Sequence, residues 1–214
     1  MKVRLPPVTV LIPAFNAMPY LRDAVESTLV QSYYEIELLV VNDGSTDATQ
    51  EFLEGVGDPR IRVITQSNQG LVASLNRGLE AASHEFIARL DADDIMDKKR
   101  IKRQLEFLVD NPDFSLVATG YGFIRENSTP MPIRVRPRVA NAPYFDPLVD
   151  PNILHTGVMY RRSVVLSLGG YRDLVPAEDL DLWLRMAEHT SLAAIPDVLT
   201  YVRVRSDGIT WQGF

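Results

Sequence analysis

The chain has 214 residues, a net charge of −6 at pH 7 and no cysteine. That length suits one domain with a substantial core, and the acidic balance argues against a nucleic-acid partner, whose backbone asks for a basic face. The lack of cysteine excludes a disulfide framework and any Cys-based nucleophile or metal site. Met1–Pro7 runs towards the first strand without the apolar region of a signal peptide, and no apolar stretch approaches bilayer-spanning length. The expectation is a cytoplasmic protein.

Val8-Thr9-Val10-Leu11-Ile12 is the nearly continuous apolar run of a strand buried on both faces, and Pro13-Ala14-Phe15-Asn16 is expected to stop it. Pro19 suits the first turn of a helix in which Leu21, Ala24, Val25, Thr28 and Leu29 recur at helical spacing. Ile36–Val41 reads as a second buried strand. Asn42-Asp43-Gly44-Ser45 follows it, with Ser45 expected to cap a helix carrying Ala48, Phe52, Leu53 and Val56 inward. Asp43 at the strand end could accept from the imide N–H of a pyrimidine base, or simply form an Asx turn.

Arg60–Ile64 alternates like an edge strand. After Asn68-Gln69-Gly70, Leu71, Leu75, Leu79 and Ala82 mark the next helix, and Gly78 within it predicts a close approach by another group.

Phe86–Leu90 is a further strand, and Asp91, Asp93 and Asp94 follow at once with only Ala92 among them. Carboxylates packed this closely resist full ionisation without a cation. Hard oxygen ligands suit Mg²⁺ or Mn²⁺, which take one or two carboxylates and complete their shell with water and phosphates. The alternative is a solvated acidic turn capping a helix. The order β-α-β-α-β-α-β implies a mostly parallel sheet with helices on both faces. Neither G-x-G-x-x-G after the first strand nor a P-loop motif is present.

Lys98–Val109 reads as an amphipathic helix, Ser115–Thr119 as a strand, and Arg161–Leu168 as a short helix closed by Gly169-Gly170. Between Asn127 and Pro151 six prolines fall in one stretch, expected to be an irregular functional loop. Arg134, Arg136 and Arg138 alternate in it, as phosphate contacts or a solvated edge. Ala177-Glu178-Asp179-Leu180-Asp181 opens the last helix, where acidic residues serve either the helix dipole or general-base chemistry. Val198–Arg205 is the final strand.

Jointly these stretches resemble the family 2 glycosyltransferases, inverting enzymes of the GT-A fold. The resemblance is carried by Val8–Asn16, Val41–Asp47, Asn68–Gly78, Arg89–Asp94, His155 with Met159–Arg162, and Ala177–Arg185, and covers Val8 to about Thr210. It implies one Rossmann-like α/β domain over 1–214, with a nucleotide-sugar half to about 95 and an acceptor half, including loop 127–151, from about 96. It further implies that Pro13, Ala14, Phe15, Asn16, Asp43, Asn68, Gly70, Asn76, Asp91 and Ala92 bind the nucleotide-sugar, a UDP-sugar first, with thymine and guanine also compatible with Asp43. Asp93 would bind the metal, Mn²⁺ or Mg²⁺. Asp179 would be the base with Glu178 beside it, and His155, Asp181 and Trp183 would lie on the acceptor side. The acceptor would be a saccharide or lipid-linked saccharide, in polysaccharide or glycolipid synthesis, with peripheral association at the inner face of a membrane. The family often has Arg-x-His near the end. Here Arg205 stands at the histidine's place, and could bind phosphate directly. The competing classes are a non-catalytic nucleotide-sugar-binding homologue, which Arg205 makes conceivable, and a nucleotidyltransferase, which would want a Gly-rich basic loop after the first strand.

Overall fold

Apolar residues on alternate sides of the early strands dictate a sheet covered on both faces. The computed structural model describes residues 4–135, 144–145 and 153–205. Its first half runs β1 (Val8–Ala14), α1 (Leu21–Leu29), β2 (Ile36–Asn42), α2 (Thr49–Gly55), β3 (Ile61–Thr65), α3 (Leu71–Ala81) and β4 (Phe86–Arg89). Strands β1, β2, β3 and β4 pair in parallel. The second half adds β5 (Ile95–Met96), α4 (Arg100–Asp110), β6 (Phe114–Ile124), β7 (Pro130–Val135), β8 (Tyr144–Phe145), a 3₁₀ turn (His155–Gly157), β9 (Val158–Arg161), α5 (Arg162–Ser167), α6 (Glu178–Ala187) and β10 (Ser191–Arg203).

These described strands form one sheet in the order β3-β2-β1-β4-β9-β6-β10-β5, with β7 on β6 and β8 on β10. The two halves meet at β9, which is antiparallel to both β4 and β6. β3 lies at an edge, as its alternation implied. On one face Val8, Val10, Ile12, Leu38 and Val40 pack against α1 and α4 residues such as Leu21, Val25, Ile101 and Leu105. On the other, Leu11, Leu39, Val41 and Ile87 meet Leu75, Leu79, Leu182 and Met186 from α3 and α6. A period of two in each strand thus feeds two helical layers.

The structure corrects several expectations. Pro13 does not stop β1; it pairs with Val41 and the strand continues to Ala14. Ser45 is not a helix cap, because α2 begins only at Thr49 and the Ser45 hydroxyl accepts from the Asn16 backbone N–H instead. The Pro-rich stretch is not irregular throughout, since Pro130–Val135 pairs antiparallel with β6. Arg134 there packs over the Tyr201 ring, while Arg136, Arg138 and the later prolines of the stretch lie outside the described residues.

Gly78 meets the expectation of a close approach. A Cβ there would sit 2.2 Å from Leu11 Cδ1, whose side chain is fully buried in β1. Alanine at an exposed helix position would gain about 1 kcal/mol over glycine. Overpacking a core typically costs ~1–3 kcal/mol, so the sign should reverse here. Gly78→Ala is therefore expected to destabilise the fold by about 1–2 kcal/mol, read as a lower denaturation midpoint in urea.

Candidate active site

The carboxyl ends of β1, β2 and β4 lie along one edge of the sheet, where open α/β sheets bind ligands. After β1 and β2 the chain makes two interlocked loops. Asn16, at φ 48°, accepts through its side-chain oxygen from the Thr46 N–H at 2.7 Å and the Asp47 N–H at 3.3 Å. Phe15 beside it is 51% exposed, a large apolar ring left at the mouth. Pro13 and Ala14 are buried beneath it in β1.

Asp43 is buried, and its carboxylate already holds the β3–α3 loop. It accepts from Gln66 Nε2 at 2.7 Å, the Gln69 N–H at 2.9 Å and the Gly70 N–H at 2.8 Å. Any bond to a base must be added to, or exchanged with, these. Gly44 allows the loops to meet, since a Cβ there would lie 2.7 Å from the Asn68 nitrogen. Asn68 and Gly70 are exposed beside Asp43.

Asn76 is not at this edge. Its amide donates to the Tyr171 carbonyl at 2.9 Å and accepts from the Tyr171 N–H at 2.8 Å, so both ends join α3 to the segment before α6.

The acidic turn follows β4. Asp91 is partly exposed, and its Oδ1 accepts from Arg89 Nη2 at 2.6 Å. Its backbone N–H donates to Thr156 Oγ1 at 3.0 Å. Ala92 is partly buried against the core. Asp93 Oδ2 lies 3.1 Å from Arg205 Nη1. Asp94 is buried and accepts from the Arg203 N–H at 2.8 Å. Burial and the neighbouring charge of Asp91 raise the Asp93 carboxyl above its usual range. Burial and the charges of Asp91 and Asp93 push Asp94 well above it. The crowding read from the sequence is real.

Three buried arginines wrap this turn, and none was singled out in the sequence for that role. Arg89 is 1% exposed beneath Asp91. Arg100, fully buried, donates to the Arg89 carbonyl at 2.7 Å and the Val158 carbonyl at 3.0 Å, and burial lowers it to about 9, so it stays charged at neutral pH. Arg203 donates to the Asp93 carbonyl at 2.7 Å, the Glu126 carbonyl at 2.7 Å and Asp23 Oδ2 at 2.7 Å. The available signal was an arginine inside an apolar strand directly before three carboxylates.

On the facing side, α6 starts with Glu178 and Asp179. Asp179 is partly exposed and burial pushes it up to about 6, with the charges of Glu178 and Asp91 acting the same way. The 3₁₀ turn brings the start of α6 towards the acidic turn, through Thr156 on the Asp91 N–H and His155 against Glu178. Glu178 is buried, with Oε1 3.8 Å from His155 Nδ1 and Oε2 without a hydrogen-bond partner among the described residues. His155 Nε2 pairs with the Tyr171 hydroxyl at 2.9 Å, which donates to the Tyr160 hydroxyl at 3.2 Å. Burial, reinforced by Arg89, pushes the imidazole well below its usual range, so it is neutral.

His155 and Trp183, expected on the acceptor side, are both buried. Trp183 is 2% exposed, edge-on to His155 at 5.8 Å between ring centres, and belongs to the core. His155 is buried beneath Glu178. Asp181 pairs with Arg185 Nη2 at 2.7 Å and Arg172 Nη1 at 3.4 Å, fastening α6 to the preceding loop.

Among the described residues no group of three or more His, Asp or Glu side chains is placed to cage a metal ion. The donor set still fits an ion of the Mg²⁺ type. Asp93 offers a partly exposed carboxylate in a turn with excess negative charge, and such an ion needs only one or two protein ligands beside phosphates and water.

The α/β fold thus carries paired loops at its strand ends, an acidic turn after β4 and two carboxylates at the start of α6. The chain belongs to the glycosyl transferase family 2, whose model matches residues 9–169. A putative glycosyltransferase EpsE of Bacillus subtilis is 31% identical over 98% of this chain and 77% of its own length. An uncharacterised glycosyltransferase of Rickettsia felis is 31% identical over 92% of this chain, which spans only 33% of that relative. Among solved structures, S. aureus TarS 1–349 in complex with UDP-GlcNAc matches with a TM-score of 0.81 at 20% identity, covering 97% of this chain and 61% of TarS 1–349. A Pyrobaculum calidifontis mannosyltransferase, PcManGT, in complex with GDP-Man and Mn²⁺ matches with a TM-score of 0.74 at 19% identity, covering 96% and 59%. These likenesses establish the fold.

Asn76→Ala should separate a structural role from a nucleotide contact. Loss of the two bonds to Tyr171 is expected to cost about 1–3 kcal/mol in chemical denaturation. The affinity of the folded protein for UDP should stay within about twofold by calorimetry.

Proposed function

We propose that this chain is a nucleotide-sugar-dependent, inverting glycosyltransferase that uses Asp179 as its base and a UDP-sugar as its first donor. The observation that carries the reading is the 3₁₀ turn His155–Gly157, which ties the acidic turn to the start of α6 through Thr156 and His155, where burial raises the Asp179 carboxyl to about 6. A base with that value is mostly ionised at neutral pH yet basic enough to take a proton.

In the proposed site Phe15 and the loop held by Asp43 receive the base and ribose, with Asp91 near the ribose and sugar. Asp93 would hold a divalent ion, which would supply charge compensation for the leaving diphosphate. Asp179 takes the proton of the acceptor hydroxyl as its oxygen bonds to the anomeric carbon. The bond from that carbon to the diphosphate oxygen breaks with its electron pair, and one displacement inverts the configuration.

A UDP-sugar is supported by the TarS complex with UDP-GlcNAc, and a divalent ion by the Mn²⁺ in the mannosyltransferase complex. The GDP-Man in the latter keeps guanine as the second choice of base. We assign the N-terminal part, to about residue 95, to the donor and the remainder to a saccharide or lipid-linked saccharide acceptor, in polysaccharide or glycolipid synthesis. No helix among the described residues is long and apolar enough to cross a membrane, so we place any membrane contact at the surface.

Asp179→Asn is expected to keep donor binding and lower transfer by ~10²–10⁴-fold. In the parent protein, kcat/KM should fall about tenfold per pH unit below about 6, because the carboxylate needed as base is protonated there. Full transfer by Asp179→Asn, or a flat profile between pH 5 and 7, would move the base elsewhere. A thermal-shift screen of UDP-, GDP- and dTDP-sugars should show stabilisation that grows with Mn²⁺, and Asp93→Ala should remove the metal-dependent part.

A further inference from the structure

We propose that Asp23, in the first turn of α1, is a positioning residue for the acidic turn. It supplies the counter-charge of Arg203, so that this arginine can hold Asp93 in place without neutralising it. The inference rests on the reading of Asp93 as the residue that meets the divalent ion. It brings in a carboxylate from the far end of the chain.

The buried arginines around the turn have their charges met in different ways. Arg89 pairs with Asp91, a carboxylate of the turn itself, at 2.6 Å. Arg203 draws its carboxylate from elsewhere: Nη2 donates to Asp23 Oδ2 at 2.7 Å, across 180 residues of sequence. The Arg203 side chain is 0% exposed. Its Nε donates to the Asp93 carbonyl at 2.7 Å, and its Nη1 meets the Arg125 and Glu126 carbonyls and Ser128 Oγ, all neutral oxygens. Its backbone N–H goes to Asp94 Oδ1 at 2.8 Å. One residue thus grips the turn at two successive positions.

A guanidinium buried in this way needs a counter-charge. Were it taken from Asp93, the carboxylate offered to the ion would be neutralised. Asp23 fills that place instead, and its Oδ2 also accepts from the Ser128 hydroxyl at 2.6 Å, which fixes the pair from the β6–β7 connection. The Tyr20 ring, just before α1, lies over the same guanidinium at 4.8 Å. The helix that follows the Phe15 loop therefore carries the groups that face Arg203. Removing the Asp23 charge while keeping its shape leaves a positive charge one hydrogen bond from the Asp93 main chain. A divalent cation is then repelled, although every carboxylate of the turn is still present. If Asp23 served only the dipole of α1, its loss would lower stability and leave metal affinity alone.

The test uses the full chain, with Mn²⁺ titrated by electron paramagnetic resonance, alone and then with UDP against a UDP blank. Urea denaturation establishes that each variant is folded. Asp23→Asn should bind Mn²⁺ about tenfold or more weakly than the parent, and Asp23→Glu, which keeps the charge, should recover most of that loss. Ser128→Ala removes a hydroxyl from the same network without a change of charge, and should stay within about twofold of the parent. Ser128→Asp places a second carboxylate beside the guanidinium, at a backbone φ of 64° that aspartate tolerates. It should bind Mn²⁺ severalfold tighter, even if Asp23→Asn folds poorly. Arg205, which reaches Asp93 Oδ2 at 3.1 Å, is the same in every variant. Equal Mn²⁺ affinity of the parent and Asp23→Asn overturns the proposal, as does a Ser128→Ala as weak as Asp23→Asn or a Ser128→Asp no tighter than the parent. In those cases the metal reading stands as long as Asp93→Ala abolishes Mn²⁺ binding. If the parent binds Mn²⁺ neither alone nor with UDP, that reading falls and the proposal with it.

Discussion

The structure depends on keeping three carboxylates together at the end of a central strand. β4 lies between β1 and β9, which hold the turn that follows it at the middle of the sheet's edge. Left alone, Asp91, Asp93 and Asp94 would repel, most of all at the buried Asp94. The fold answers with arginines from three separate elements: Arg89 from β4, Arg100 from α4 and Arg203 from β10. Each donates to a carboxylate or to a backbone carbonyl of the turn or its neighbours. The acidic turn is therefore also the point at which both halves of the chain are fastened, and its geometry is set by packing.

The 3₁₀ turn His155–Gly157 extends that fastening to the proposed base. Thr156 receives the Asp91 N–H on one side, while His155 lies under Glu178 on the other. Adjacent residues of one short turn thus touch the acidic turn and the start of α6. A neutral imidazole suits this position. A charged one would add a fourth buried cation beside Arg89, and burial prevents it. Inserting β9 antiparallel between β4 and β6 is what delivers this turn to the strand ends.

Much of the first half was legible because its signals are local. Alternating apolar positions named the strands, helical spacing named α1 and α3, and the glycine in α3 announced a close approach, met by Leu11. The acidic turn and the carboxylates opening α6 could likewise be read as chemistry. What stayed hidden are the long-range partners. Nothing around Asn76 says that its amide will close on Tyr171, 95 residues later. Trp183 sits in a helix with acidic and apolar neighbours, and only the sheet beneath it decides that the ring is core. Pro13 and Pro130 suggested breaks but fall in strands, where the neighbouring register tolerates them.

These placements divide the site into a side made of loops and a side made of core. The strand-end edge is built from turns that hold one another through Asn16, Ser45 and Asp43. A ligand can re-pair such groups at modest cost, because each bond given up can be replaced by another. Asp179 belongs to the opposite kind of construction. Its helix is tied down by Arg185, which donates to the Leu168 and Gly170 carbonyls at 2.9 Å, and the next residue, Tyr171, is gripped by Asn76. Leu182, Trp183 and Met186 then bury the inner face of α6. A carboxylate held this way keeps its place whatever the loops do, and the same packing of α6 preserves the desolvation that raises the Asp179 carboxyl.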